Sequence, residues 1–283
     1  MSMTTKATER TKAILEPHLV AYIDLLGFRG AVADPNPEVA AEILRTLQEF
    51  KSAEQEFEIS IEPQSESQRT TYVRPGISTF SDHLVMSFNL ADLQGSAVGF
   101  YQAFMSVRSI ANAVAHRARQ FGCLIRGAVT SGMLHHSGGI VFGQGLVRAY
   151  EMESKQAHYP RIIVDNDVLI GTTIGENSDA SMFRDGDGLW CIDYMTAYIE
   201  SLDQQFGSGP SQEGCAARRV WALGMRGKAL DKISELKAVG NERGVENWTW
   251  YARRFEAAML ALNPYRFSVD GSPLVFPEWP FPE

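Results

Sequence analysis

The sequence predicts an α+β domain with a mixed or antiparallel sheet and helices added at its C-terminal end. Three observations predict it. Short apolar runs of strand length are interspersed with amphipathic stretches of helix length, in the order strand, helix, hairpin, helix, strand, strand, helix, strand. One run, Val20-Ala21-Tyr22-Ile23-Asp24, is apolar without alternation until it ends in a carboxylate, as in a strand buried on both faces. After Gly209-Pro210 the character changes, and residues 211–238 and 244–262 read as a helical hairpin by composition and spacing.

Each element has a local reason. Residues 1–17 are polar and predict a tail or short helix. The first strand covers residues 18–24. Asn36 followed by Pro37 is an N-cap with proline at the first helical position, opening a helix to about Lys51. Val39, Ile43, Leu44, Leu47 and Phe50 would share its apolar face. Residues 62–70 are a polar loop. Thr71–Phe80 and His83–Phe88 predict a hairpin with Ser81-Asp82 at its tip. A long helix follows over 97–121 and Gly122 stops it. Cys123–Ser131 is a strand. Residues 138–143 form a short strand entering a helix that runs to Ala157, and 161–164 are again a strand. Residues 181–193 predict a turn and strand. Asn263-Pro264 would end the C-terminal hairpin, and the last seven residues hold too much proline for regular structure. The chain shows no internal repeat. Its expected division is a tail over 1–17, a main globular unit over 18–205 and a helical extension over 206–283 packed on that unit.

Composition narrows the function classes. The chain has 283 residues, 45% of them hydrophobic, with ample material for a core. A net charge of −8 argues against broad binding of nucleic acid or an anionic membrane, both of which need a basic surface. The three cysteines, Cys123, Cys191 and Cys215, are far apart, and neither a disulfide frame nor a zinc site is expected. No run reaches the roughly 18 apolar residues of a membrane span, and the N-terminus lacks a signal-peptide core. A soluble cytoplasmic protein is expected.

The chemistry-bearing candidates are Asp24, at the end of a buried strand, and Asp82, at a hairpin tip. If the two strands are neighbours, both carboxylates reach one sheet end, where hard oxygen ligands suit Mg²⁺ or Mn²⁺. The alternative is one solvated strand-end aspartate and one turn aspartate. Gly27-Phe28-Arg29-Gly30 follows closely and could bring backbone N–H groups and Arg29 to phosphate oxygens, although an ordinary turn has the same pattern. His135-His136 reads as an exposed loop pair, with a pair of metal ligands as the alternative. Asp185-Gly186-Asp187-Gly188 lacks the spacing of a calcium loop and reads as a turn. Lys155 and Arg161 read as surface charge, with phosphate contact as the alternative; Arg218 and Arg219 sit on a polar helix face and need no function, and the aromatics of 248–255 read as helix packing or dimer contact rather than base stacking.

Several stretches resemble a known family. Tyr22-Ile23-Asp24-Leu25-Leu26-Gly27-Phe28 resembles the first metal motif of the class III nucleotide cyclases, Phe-x-Asp-Ile-x-Gly-Phe, and Phe80-Ser81-Asp82-His83-Leu84-Val85 resembles their second. Ile125 to Gly132 resembles their strand Ile-Arg-Ile-Gly-Ile-His-Ser-Gly. Gly143 to Ser154 is similar to their helix Gly-x-x-Val-Asn-x-Ala-x-Arg-Met-Glu-Ser, keeping Ala149, Met152, Glu153 and Ser154. The resemblance implies a ferredoxin-like βαββαβ core. It also implies two divalent ions, Mn²⁺ or Mg²⁺, held by Asp24, Asp82 and the Leu25 carbonyl, and a head-to-tail homodimer with shared active sites.

The departures matter equally. The family's asparagine falls on Val147 and its transition-state arginine on Glu151; Arg148 is the substitute expected here. The purine-reading positions fall on Ser78 and Ile140. With Asp82-His83, Arg126-Gly127-Ala128 and residues 153–162, these departures resemble the Pycsar pyrimidine cyclases of bacterial antiphage defence. That branch implies UTP, or alternatively CTP, as substrate. It implies a cyclic nucleotide product read by a separately encoded effector, and a base pocket shaped by Ser78, Ile140 and Phe50 beside a phosphate cradle of Gly27, Phe28 and Arg29. A purine cyclase and a catalytically dead nucleotide-binding module are the alternatives; a plain oligomeric scaffold is the bland one.

Overall fold

The apolar run around Asp24 is strand β1 (Glu16–Leu26), and it lies inside the sheet, flanked on both sides. The computed structural model describes residues 14–61, 70–171, 181–196, 211–262, 267–270 and 272–281. Strand β1 needs no polar alternation because both of its faces are covered. Leu19, Ala21, Ile23 and Leu25 enter the main core, while Val20 and Tyr22 pack with Val85, Leu134 and Ala149 on the other face.

After β1 come α1 (Phe28–Val32), α2 (Pro37–Glu56) and a small hairpin of β2 (Ile59–Ile61) with β3 (Thr71–Val73). Strands β4 (Gly76–Phe80) and β5 (His83–Asn89) form the hairpin carrying Asp82, and α3 (Ala97–Ala118) returns the chain to β6 (Leu124–Ser137). In space β4, β5, β1 and β6 are neighbours in that order, all antiparallel. Two βαβ units interleaved in this way are the ferredoxin-like arrangement, with α2 and α3 on the main-core face.

The sheet then grows past β6. Strand β7 (Ile140–Phe142) folds back on the end of β6. Helix α4 (Gln144–Gln156) lies on the second face and crosses to β8 (Ile162–Val164), which runs parallel to β6. After α5 (Asn166–Gly171), β9 (Met182–Arg184) and β10 (Trp190–Ile192) complete the edge. Helices α6 (Gln212–Ala238) and α7 (Glu242–Ala261) form the C-terminal hairpin, turning at Gly240 with Asn241 capping α7. Ala222, Ile233, Trp248, Tyr251 and Phe255 join the core of the sheet's helical face, so the hairpin shares that core. Arg254 ties α7 to the sheet by an ion pair with Asp193 at 2.8 Å. Trp279 and Phe281 lie over Arg226, Arg253 and Lys237, which seats the proline-rich end without regular structure.

Several expectations need correction. The predicted strand 71–80 is two strands broken at Arg74-Pro75, because proline cannot continue a ladder. Helix α2 runs five residues past Lys51, and Leu44 on it is 56% exposed rather than buried. Strand β6 extends to Ser137, since Met133 and Leu134 still pair with the start of β1. His135 and His136 therefore lie in a strand and not in a loop. Arg161 and Arg218 are each 1% exposed, not surface charge. Arg161 gathers Asp185 and Asp187, which explains the Asp-Gly-Asp-Gly turn as the wrapping of a buried cation. Cys123, Cys191 and Cys215 are free and buried. Glu16 and Pro17, expected in the tail, begin β1, where they pair with Leu134 and Met133; residues 1–13 of that tail, 62–69 of the expected polar loop, and the breaks at Gly209-Pro210 and Asn263-Pro264 fall outside the described residues.

Candidate functional site

The antiparallel registers build the site. Asp24 lies opposite His83 on β5 and opposite Arg126 on β6. The turn between β4 and β5 places Ser81 at φ +57°, and the Asp82 carbonyl accepts a bond from the Leu25 N–H at 3.0 Å. That bond fastens the hairpin tip to the end of β1. At Gly27 the chain leaves the strand with φ +93°, a conformation that favours glycine.

His83 Nδ1 lies 3.0 Å from Asp82 Oδ1 and 3.7 Å from Asp24 Oδ1. One ligand atom from each of these three residues lies within 4.8 Å of the others. The second Asp24 oxygen lies 3.5 Å from the Arg126 guanidinium, whose Nε donates to Glu153 of α4. Glu153 is only 3% exposed, so it needs that cation. Burial pushes the Asp24 carboxyl up to about 6; Glu153 adds to this, and Arg126 works against it. Burial, Glu153 and Asp24 also raise the Tyr22 hydroxyl above its ordinary value. The Tyr22 ring meets the His83 and Tyr150 rings edge-on, at 5.3 and 5.8 Å.

These residues fit a divalent cation on one observation. His83 Nδ1 is buried between two carboxylates and makes no aligned hydrogen bond to either. Three potential ligand atoms, one nitrogen and two carboxylate oxygens, converging in this way are an arrangement a divalent cation satisfies.

The other sequence-predicted residues are spread more widely. Leu25 is buried next to Asp24. Gly27 and Arg29, with Gly122, Lys232 and Trp248, line a cleft of about 570 Å³ between α1 and the C-terminal hairpin; Phe28 packs against the core. Ser78 lies on the second face of the sheet, where its hydroxyl meets His136 Nε2 at 2.9 Å. Ile140 is exposed at the β6–β7 hairpin. Phe50 is buried with Ile77 in the main core, on the sheet face opposite Ser78, and is not brought to that pocket. Arg148 pairs with Asp165 at 2.6 Å and Asp167 at 3.2 Å, not with Asp24 or Asp82. Glu151 pairs with Lys155.

Sequence reasoning gave no role to Arg126, Glu153, His83 or His136. Arg126 carried a signal, a single charge inside the apolar run Leu124-Ile125-Arg126-Gly127-Ala128. Glu153 stood out as a kept residue of the family helix and His136 as half of a histidine pair, but their partners lie 27 and 49 or more residues away and so stayed hidden.

No protein-family model and no curated protein matches the sequence. Solved structures do match. The adenylyl cyclase CyaB from P. aeruginosa is 13% identical, with a TM-score of 0.42, over 63% of this chain and 94% of that one. Two structures of a bacterial light-regulated adenylyl cyclase are 10% and 11% identical, each with a TM-score of 0.39 over 64% of this chain. The match spans about half, 52%, of those light-regulated chains. Among the described residues no helix is long and apolar enough to cross a membrane.

Proposed function

We propose that the protein is a nucleotidyl cyclase that converts a pyrimidine nucleoside triphosphate, UTP, to 3′,5′-cyclic UMP and pyrophosphate. The observation that carries the reading is the convergence of Asp24 and Asp82 at one end of a ferredoxin-like sheet, beside a buried imidazole nitrogen. In the reaction a bond forms between the ribose 3′ oxygen and the α-phosphorus. The bond from that phosphorus to the bridging oxygen breaks, pyrophosphate leaves, and the hydroxyl proton passes to water. Divalent metal, when bound, supplies charge neutralisation on the triphosphate and a lower pKa for the hydroxyl.

The chain's own residues do the rest. Asp24 and Asp82, with the Leu25 carbonyl, would hold the metal ions. Arg126 is kept in place by Glu153 and presents positive charge beside Asp24, where a triphosphate would lie. Gly27, Phe28 and Arg29 would contact the phosphates. Ser78 offers one hydroxyl, oriented by His136, to a base edge, and Ile140 offers only apolar contact; this pairing supports a pyrimidine over a purine. Phe80, beside the hairpin tip that carries Asp82, and Tyr150, against Tyr22, are exposed apolar or aromatic side chains next to the site and support a homodimer closed over this face. By resemblance, a separate cyclic-nucleotide-binding effector would read the product in antiphage defence.

One observation favours a second reading, a nucleotide-binding module without turnover. Glu151 stands at the family's arginine position, and Arg148 is already held by two carboxylates. Incubating purified protein and Mn²⁺ with UTP, CTP, ATP or GTP separates the readings. Cyclic UMP supports the proposal. Cyclic CMP keeps the mechanism and changes the base. A purine product overturns the pyrimidine assignment, and tight binding without product establishes the module.

A further inference from the structure

We propose that His83 is a direct metal ligand of the Asp24–Asp82 site, and that its imidazole biases the site toward a first-row transition dication over Mg²⁺. The inference rests on the metal-site part of the proposed function and extends it to the choice of metal.

Geometry comes first. The register sets His83 directly across from Asp24, and the hairpin tip sets Asp82 beside it in sequence. The imidazole therefore cannot avoid the two carboxylates, and Nδ1 is the nitrogen that faces them. Edge contact with the Tyr22 ring at an interplanar angle of 86° holds the plane of the imidazole.

The second argument is hydrogen bonding. A buried ring nitrogen is nearly always bonded, as donor or as acceptor. His83 Nδ1 makes no aligned bond, although carboxylate oxygens lie 3.0 and 3.7 Å away. Neither oxygen meets the nitrogen in line, and a cation between the three atoms would engage all of them. The two Asp24 oxygens divide accordingly: Oδ1 faces His83, and Oδ2 faces Arg126.

The third argument is ligand chemistry. Mg²⁺ takes oxygen ligands in near-ideal octahedral geometry and gives up water reluctantly. Imidazole suits later first-row metals, and affinity at mixed nitrogen and oxygen sites rises along that row. Two carboxylates alone would leave Mg²⁺ fully competitive. A nitrogen in the same shell favours manganese or a later metal.

The test uses the full-length, metal-free protein with Mn²⁺ as the probe. Pulsed paramagnetic resonance of bound Mn²⁺ reads nitrogen-14 coupling from a coordinated imidazole, without any turnover. The wild type should show that coupling. His83→Asn, which keeps polarity without the imidazole, should lose it. Its Mn²⁺ affinity should fall about tenfold or more, while Mg²⁺ affinity, read by competition, stays nearly unchanged. Manganese bound to the wild type without nitrogen coupling overturns the inference even if the variant does not fold. Equal loss of both metals in His83→Asn also overturns it. A separate arm tests the underlying reading: if Asp24→Asn binds Mn²⁺ as the wild type does, the metal site itself is elsewhere.

Discussion

Asp24→Asn should stabilise the metal-free protein while destroying its metal site. Burial and Glu153 raise the Asp24 carboxyl from 3.8 to about 6. A carboxyl whose folded pKa exceeds its unfolded pKa holds more protons when folded. Stability therefore falls as pH rises between those values, and the full penalty is present above about pH 6. A shift of about two pKa units corresponds to roughly 3 kcal/mol, and the side chain is only 14% exposed, so solvent screens little of it. Asparagine keeps the shape and removes the charge, while Arg126 keeps Glu153. For a chain of 283 residues that is a gain of about 5 °C in melting temperature at pH 7.5 in chelator. At pH 4 the gap should close. Burial pushes His116 and His136 down to about 4, and this gives an opposite slope in both proteins. The difference between variant and wild type at each pH isolates Asp24. Saturating Mn²⁺ should raise the wild type alone, by about 2.7 kcal/mol at a hundredfold excess over Kd. Equal or lower stability of Asp24→Asn in chelator at pH 7.5 would refute the electrostatic account.

Three further predictions concern the frame and the base pocket. In Gly127→Ala the new Cβ would sit 2.4 Å from the Tyr22 carbonyl oxygen and 3.3 Å from Ile23 Cα, forcing β1 and β6 apart next to Asp24. A loss of about 3 kcal/mol is expected by denaturant titration; Gly224→Ala, with open space around it on α6, should gain about 0.5–1 kcal/mol. Arg161→Ala leaves Asp185 and Asp187 without their cation, and thermal melting should show a loss of about 2–3 kcal/mol, since the carboxylates keep some solvent. Ser78→Ala, or His136→Ala, which frees the Ser78 hydroxyl, should reduce discrimination between UTP and CTP about tenfold, chiefly through KM in steady-state assays.

The parts of the fold that were legible in the sequence are those whose cause is local. Asn36-Pro37 caps α2 as expected, Gly122 in a left-handed conformation ends the 3-10 turn Arg119–Phe121 that continues α3, and the unbroken apolar run around Ile23 announced an interior strand. What was hidden depends on partners far along the chain. Phe50 and Leu44 have equal claims to an apolar helix face, yet only Phe50 meets the core. Arg161 looks like any charged strand-end residue until a turn more than twenty residues later wraps it. His136 looked like half of an exposed pair, because nothing local shows that β6 continues to Ser137 beside Ser78 and Ser87. The two aspartates were legible as candidates, since each sits at a strand end. Their convergence followed only from the family resemblance; local spacing left it open, because it depends on β5 pairing with β1 in one register, and a one-residue slip would turn one carboxylate to the other face.

The most direct test of the central claim is cyclic nucleotide and pyrophosphate release from UTP with Mn²⁺, by the wild type, Asp24→Asn and Asp82→Asn, after each variant is confirmed folded. The account predicts equimolar cyclic UMP and pyrophosphate from the wild type and a loss of at least about a thousandfold in both variants. Turnover that survives either substitution, or a wild type that binds UTP and releases nothing, would contradict it.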